Sequence, residues 1–206
     1  MKHLFLRKTA VLLLAAALCF PVTVLSGCGE SSDDEISIAY APVIPESRVD
    51  ENAPGEVQKG GIGDSLTCQN KVTAKLLRVV ELDDAATTAE RTLCAELTIT
   101  NSSDKDIDCT TLSHFTVSVN GEVDKQTQDI TAAISARKYY TATQSSLVAF
   151  NQAIKPGETV TGYVYLNPPT AWKTLELNYK PFRYYSNDTL CFTIDESKLT
   201  HYTEKL

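Results

Sequence analysis

The chain has 206 residues, with 19 Lys and Arg against 26 Asp and Glu and a net charge of −7. An acidic chain of this kind lacks the basic face that nucleic-acid binding requires, so we expect no nucleic-acid partner. The 146 residues from Gly61 onward are enough for one domain with its own core.

The first 28 residues have the layout of a secretory signal. Lys2, Arg7 and Lys8 form a basic start, and an apolar run of 11 residues extends from Ala10 to Phe20. A membrane-spanning helix needs about 20 apolar residues, so this shorter run is typical of a signal-peptide core. The alternative, a buried helix of a cytosolic protein, gives the basic start and the small residues before Cys28 no role.

The stretch Leu25-Ser26-Gly27-Cys28 resembles the lipobox of bacterial lipoproteins. The resemblance implies that residues 1–27 are removed and that Cys28 carries at least two acyl chains. Two chains are what stable anchoring to a bilayer requires. The mature protein is then expected at the cell membrane, lipid-anchored on its extracytoplasmic face, with a net charge of −10 once the three basic residues of the signal are gone.

Residues 28–60 have the composition of a disordered linker. Low hydrophobicity and a net charge of −6 are typical of segments that cannot bury enough apolar surface to fold. The alternative is that Ile36–Tyr40 docks on the domain as an extra strand. We therefore expect a signal peptide at 1–27, a lipidated linker at 28–60 and one domain at 61–206.

Six stretches of the domain show the alternation or the turn signals of short strands. Apolar and polar residues alternate with period two in Thr92–Asn101, and Phe115–Val119 leads into Asn120-Gly121, a strong hairpin signal. A slip in parity at Leu76–Leu77 predicts a β-bulge. The six stretches are Lys71–Glu81, Thr92–Asn101, Phe115–Val119, Thr159–Asn167, Lys173–Tyr179 and Thr189–Asp195.

No such pattern is present between Gln126 and Ala153, where Thr131–Arg137 predicts at most one or two helical turns. With the return strand after the hairpin, the pattern predicts seven or eight short strands and no long amphipathic helix. The expected fold class is all-β, a two-sheet sandwich.

Residues 61–195 resemble the immunoglobulin-like, telokin-like domain of unknown function found in lipoproteins of Gram-positive bacteria. The resemblance implies an immunoglobulin-like sandwich. That family has no agreed catalytic residues, so none are implied for this chain. The matching segments are Leu97–Asn101, Asn120-Gly121, Ile154–Val164, Trp172–Tyr179 and Phe192–Ile194.

The four cysteines of the domain predict disulfides, because an even number in a secreted chain is typical of a cross-linked fold. They are Cys68, Cys94, Cys109 and Cys191, and they allow three connectivities; reduced thiols are the alternative. The gap of 15 residues from Cys94 to Cys109 is too wide for the close pairs of a zinc site. We expect no metal and no cofactor.

Other polar candidates lack the partners that chemistry needs. Asp104, Asp106 and Asp108 alternate as in a calcium loop, but the glycine and glutamate that an EF-hand requires are absent. His114 and His201 have no nucleophile or metal ligand nearby in sequence and are expected to be surface residues.

Four tyrosines are the remaining candidates for a binding surface: Tyr139 and Tyr140 in the irregular region, and Tyr163 and Tyr165 on one face of a strand. The alternative is that these rings cover the edges of the sandwich. We expect a non-enzymatic binding or scaffold module whose partner is an envelope protein or a glycan. The alternative is a secreted enzyme, or an inhibitor of extracellular proteases, acting through residues 126–153.

Overall fold

The computed structural model describes residue 50 and residues 53–82, 91–124 and 127–202. The predicted signal peptide, Cys28 and most of the predicted linker lie outside the described residues. The described residues form twelve strands: β1 Val57–Gly61, β2 Ser65–Cys68, β3 Val72–Leu82, β4 Thr92–Asn101, β5 Ile107–Thr110, β6 Phe115–Val119, β7 Glu122–Asp124, β8 Asn151–Ile154, β9 Thr159–Leu166, β10 Leu175–Tyr179, β11 Thr189–Thr193 and β12 Thr200–Tyr202. They also form two α-helices, α1 Thr111–His114 and α2 Ile130–Ala142, and a short 3-10 helix at Glu196–Lys198.

The strands build a β-sandwich, which confirms the predicted fold class. The first sheet has the order β1-β11-β10-β6-β7, and β1 runs parallel to β11. The second sheet has the order β12-β3-β4-β9, with β2 also pairing with β3. A small two-stranded sheet, β5 with β8, completes the fold. Twelve strands exceed the seven or eight predicted because β1, β2, β5, β8 and β12 are short and carry little alternation.

The core lies between the inner faces of the two sheets. Leu93, Ala95, Leu97 and Ile99 of β4 are fully buried there, as their alternation predicts. The ring of Phe115 stacks on that of Tyr179 with centroids 4.6 Å apart. Each fully buried aliphatic side chain contributes roughly 1.5–3 kcal/mol to folding.

Local backbone signals in the sequence have the predicted effect. The register between β3 and β4 shifts between Leu76 and Arg78, which confirms the predicted bulge. Asn120 and Gly121 have φ values of 53° and 88°. Positive φ at both central residues is the signature of a type I′ turn, and β6 and β7 form the hairpin around it.

The domain begins earlier than the predicted boundary at Gly61. Strand β1 starts at Val57, and the Glu56 amide donates to Asp188 Oδ1 over 2.7 Å. The Asn187 side chain donates to the Ala53 carbonyl over 2.6 Å. A parallel edge strand is held by backbone hydrogen bonds and needs no apolar alternation, so the linker-like composition concealed it.

The region 126–153 is more ordered than its sequence pattern predicts. It contains α2, whose 13 residues exceed the one or two turns expected. Asp129 caps the helix by accepting from the Ala132 amide over 2.8 Å. The alanines favour a helix by propensity, whereas the usual apolar stripe is missing because the buried side chains are two alanines and Tyr140.

The chain after α2 shields the edge of β9. The Tyr163 amide donates to the Val148 carbonyl, and the Phe150 amide donates to the Tyr163 carbonyl, both over 3.1 Å. Gly162 permits this close approach, because a Cβ there would lie 2.8 Å from the Val148 oxygen. Within the described ranges, no helix is long and apolar enough to cross a membrane.

Candidate functional site

The outer face of the second sheet carries the alternate residues of β4 and β9 that point away from the main core, and many of them are polar. Helix α2 lies over one half of this face, and its Ala132, Ala136 and Tyr140 are buried against it. These three residues are spaced i, i+4 and i+8 and therefore share one side of the helix. We call the part of the sheet beneath α2 the covered half; it includes Cys94, Glu96 and Tyr163.

A buried carboxylate organises the covered half. Glu96 is 4% exposed and accepts two hydrogen bonds from Arg78, from Nε over 2.9 Å and from Nη2 over 2.8 Å. The Tyr140 hydroxyl donates to the same carboxylate over 3.0 Å. These charge-assisted bonds compensate the burial of Glu96, and they raise the pKa of the Arg78 guanidinium. The Arg78 side chain stays 49% exposed, so water also solvates that charge.

The tyrosines of the covered half stack on one another and leave little surface for a partner. The Tyr140 ring lies parallel to the Tyr163 ring with centroids 4.1 Å apart. Tyr139 makes edge-on contacts with Tyr140 and with Tyr202, at 4.8 and 4.7 Å. Burial raises the pKa of Tyr163 to about 12, and it also raises the pKa of Tyr140 above its ordinary value. Both phenols are therefore neutral at physiological pH.

The predicted tyrosine surface is wrong for two of its four members. Tyr140 is 3% exposed and Tyr163 is 5% exposed, so neither is available to a partner in this structure. Tyr139 and Tyr165 are partly buried. Period-two alternation correctly put Tyr163 on the outer face of β9, but it could not show that α2 covers that face.

The other half of the same face is lined by hydroxyl groups, and neither α1 nor α2 nor the 3-10 helix of the described residues lies over it. Its outward residues align in two rows that cross four strands: Thr67, Thr73, Thr100 and Thr159 in one, and Ser65, Lys75, Thr98 and Thr161 in the other. The hydroxyls pair across strands at 2.9–3.0 Å in Thr67–Thr73, Thr98–Thr161 and Thr100–Thr159. We call this surface the open half.

The predicted disulfides are wrong. All four domain cysteines are free and buried. Cys68 and Cys109 lie in the main core, and Cys94 lies in the cluster beneath α2. A disulfide needs Cα atoms within about 7 Å and facing Cβ vectors, and none of the four cysteines is placed in this way against another. Burial raises the pKa of Cys68 and of Cys191 to about 11.

The two histidines have different environments. His114 is 2% exposed, so its predicted place on the surface is wrong. Its Nδ1 lies 3.0 Å from the Thr110 hydroxyl, and burial followed by the charge of Arg183 lowers its pKa to about 4. His201 lies on the surface as predicted, with Nδ1 2.8 Å from Glu81.

No group of three or more His, Cys, Asp or Glu side chains among the described residues is arranged to hold a metal ion. Asp104, Asp106 and Asp108 belong to the polar turn before β5 and to its first residues.

The chain is similar to solved structures of several bacterial proteins. The yjhA protein of Bacillus subtilis is 15% identical, with a TM-score of 0.41 over 66% of this chain and 98% of that one. A "putative lipoprotein" of Staphylococcus aureus is 17% identical, with a TM-score of 0.42 over 70% of this chain and 97% of that one. An uncharacterized β-sandwich protein of Clostridium difficile is 12% identical, with a TM-score of 0.38 over 68% of this chain and 96% of that one.

A search of curated proteins found no match. Residues 60–189, more than half of the chain, match the family described as "Domain of unknown function (DUF4352)". The match begins at the end of β1 and extends to the start of β11, so it includes β2 to β10, with strands of both sheets, and leaves out β12. The chain therefore belongs to the DUF4352 family.

Proposed function

We propose that this chain is a lipid-anchored extracytoplasmic protein whose sandwich domain is a non-enzymatic binding or scaffold module at the cell envelope. The observation that carries the proposal is the stretch Leu25–Cys28, which follows an apolar run of signal-peptide length and precedes an acidic segment and the family domain. The proposal includes that the chain is a lipoprotein of the Gram-positive type and that its domain is telokin-like and immunoglobulin-like. The partner is an envelope protein or a glycan.

The open half is the surface that we assign to partner binding. Its rows of threonine hydroxyls are exposed or partly exposed, and Lys75 is the charged member of the two rows. Each cross-strand hydroxyl pair uses one donor and one acceptor and keeps further hydrogen-bonding capacity for a ligand. The covered half does not offer such a surface, because Glu96 and Tyr140 are already bonded to each other.

The alternative functions are less well supported by the geometry. A protease inhibitor presents an extended loop to the enzyme, whereas the middle of region 126–153 is the helix α2. An enzyme needs a nucleophile that the substrate can reach. The Thr110 hydroxyl and His114 lie within hydrogen-bonding distance of each other, but they are only 7% and 2% exposed.

The anchor is tested by replacing Cys28 with Ala in cells. We expect the variant to leave the membrane fraction or to keep its signal peptide, because no thiol remains to be acylated. Cys19→Ala, within the signal itself, is the matched control and should behave as the wild type. Retention of Cys28→Ala in the membrane at the wild-type size would refute the anchor.

The binding role is tested by cross-linking the full-length protein to the envelope and identifying its partners. The variant Thr98→Glu with Thr161→Glu changes the open half, and Thr116→Glu with Thr193→Glu changes two exposed threonines of the first sheet as a control. A partner that is lost only in the first variant supports the proposal. Turnover of an envelope substrate by the purified protein would overturn it in favour of an enzyme.

A further inference from the structure

The outward face of α2 is apolar where a solvent-facing helix is normally polar. Ile130 and Ile134 are 69% and 63% exposed, and they are one turn apart on the side of the helix that faces away from Ala132 and Ala136. Arg137 and Thr141 continue the same stripe at i+7 and i+11 and are also exposed. The helix therefore presents two large aliphatic side chains followed by a cation to whatever lies outside the domain.

The charge of α2 is opposite to that of the chain that carries it. Its 13 residues include Arg137 and Lys138 and no acidic residue, while the whole chain has a net charge of −7. Asp129 is the nearest acidic group in sequence, and its carboxylate is engaged in capping the helix. Exposed isoleucine beside arginine and lysine is the composition of helices that lie in the headgroup region of anionic bilayers.

We propose that the outward face of α2 rests on the anionic lipid bilayer to which Cys28 ties the protein, an inference that depends on the lipid anchor proposed above. Two isoleucines and two cations form a small patch, which alone would bind lipid weakly. The anchor changes this, because tethering raises the effective concentration of the bilayer near the domain to the millimolar range. Weak contacts are then sufficient to orient the domain.

The length of chain before the domain allows this orientation. Ala53 is already hydrogen-bonded to the domain, so the tether is the 24 residues between Cys28 and Ala53, and a flexible chain of that length reaches roughly 27 Å. Two sheets about 10 Å apart with a helix of about 10–12 Å on one of them have a similar thickness. The anchored end can therefore reach the bilayer while α2 faces it. The acidic linker is repelled by anionic headgroups, so the basic helix is the part attracted to them.

The orientation leaves the open half accessible. Because α2 stands about one helix diameter above the sheet, lipid contact through its outward face keeps a gap beside it over the threonine rows. The membrane contact and the proposed partner surface are therefore compatible on the same side of the domain.

The test uses the full-length lipidated protein in vesicles of equal parts phosphatidylglycerol and phosphatidylethanolamine. An environment-sensitive fluorophore is attached at Thr141→Cys on the helix stripe or, as a reference, at Val123→Cys on the exposed hairpin strand β7. The native domain thiols are buried and have raised pKa values, so they do not compete for the label. Flotation of the vesicles measures anchoring separately.

We expect a blue-shifted emission at position 141 and none at position 123. Ile130→Ser with Ile134→Ser should reduce the shifted fraction about tenfold, and Arg137→Glu or phosphatidylcholine vesicles should also reduce it. Leu112→Ser, which changes an equally exposed residue of α1, should have no effect. Equal spectra at positions 141 and 123 on protein that floats would refute the contact and leave the anchor intact. Protein that fails to float would refute the anchor itself.

Discussion

The outer face of the second sheet is divided between the covered half and the open half, which share strands β3, β4 and β9. In β4 the outward residues Cys94 and Glu96 are buried, while Thr98 and Thr100, four residues further along the same face, are partly exposed. The pairing of β4 with β9 continues through both halves without a register shift. The two halves differ because α2 packs on the outer face of the sheet as a third layer and buries the outward-pointing residues beneath it.

Polar groups in the two halves therefore differ in how strongly they need a hydrogen-bond partner within the protein. In the covered half, Glu96 must be matched by Arg78 and Tyr140, because an unpaired buried carboxylate is costly. In the open half, water can replace any partner, so the hydroxyl pair Thr98–Thr161 adds little to stability. Mutations of similar size should consequently have large effects in one half and small effects in the other.

Tyr140→Ala should produce the largest effect. It removes the ring stacked on Tyr163 and leaves a cavity beneath α2, with an expected loss of about 3–4 kcal/mol in the free energy of unfolding. Thr98→Ala, in the open half, is the matched control and should cost less than about 1 kcal/mol. Urea unfolding measures both. Equal losses would show that α2 does not make the covered half different from the open one.

Acid should destabilise the protein through the buried His114, which lies outside the covered half. The pKa of His114 is about 4, below its ordinary value, so the unfolded chain takes up the proton at higher pH than the folded chain. Stability should therefore fall as the pH drops from about 6.5 to about 4, by up to about 3 kcal/mol. His114→Gln should lack this component. Urea unfolding at several pH values measures it, and an unchanged pH dependence in the variant would contradict the assignment.

Glu96→Ala should cost about 2 kcal/mol, because it leaves the buried Tyr140 hydroxyl without an acceptor. Arg78 loses its partner as well, but its half-exposed guanidinium can be solvated by water. Glu96→Gln keeps an acceptor and should recover about half of the loss. A variant as stable as the wild type would show that the carboxylate has no role in holding α2.

The sandwich could be predicted from sequence because alternation and turn chemistry are local. Leu93 to Ile99 alternate in β4, and Asn120-Gly121 determines the hairpin turn. Strand β1 could not be predicted in the same way, because its edge position leaves few side chains to bury. Its pairing with β11 depends on residues more than 130 positions away.

The candidate site could be predicted only in part, since it depends on a layer that period-two alternation does not encode. Helix α2 turns two alanines and Tyr140 inward and two isoleucines outward, the reverse of the usual amphipathic pattern. The sequence therefore indicated an irregular region with exposed tyrosines. The same limit explains the disulfide error, because parity alone does not show which layer a cysteine faces.

Thr98→Val should have the smallest effect and gives the sharpest test of the difference between the halves. It removes one hydroxyl of a cross-strand pair, and its counterpart in the covered half, Tyr140→Phe, also removes one hydroxyl. Valine suits an exposed strand position, and water replaces the lost bond to Thr161, so the free energy of unfolding should change by less than about 0.5 kcal/mol. Tyr140→Phe deprives the buried Glu96 of a donor that water cannot easily replace, so it should cost about 1–2 kcal/mol. If urea unfolding gives the same small change for both, water reaches the carboxylate beneath α2, and the distinction between a covered and an open half does not hold.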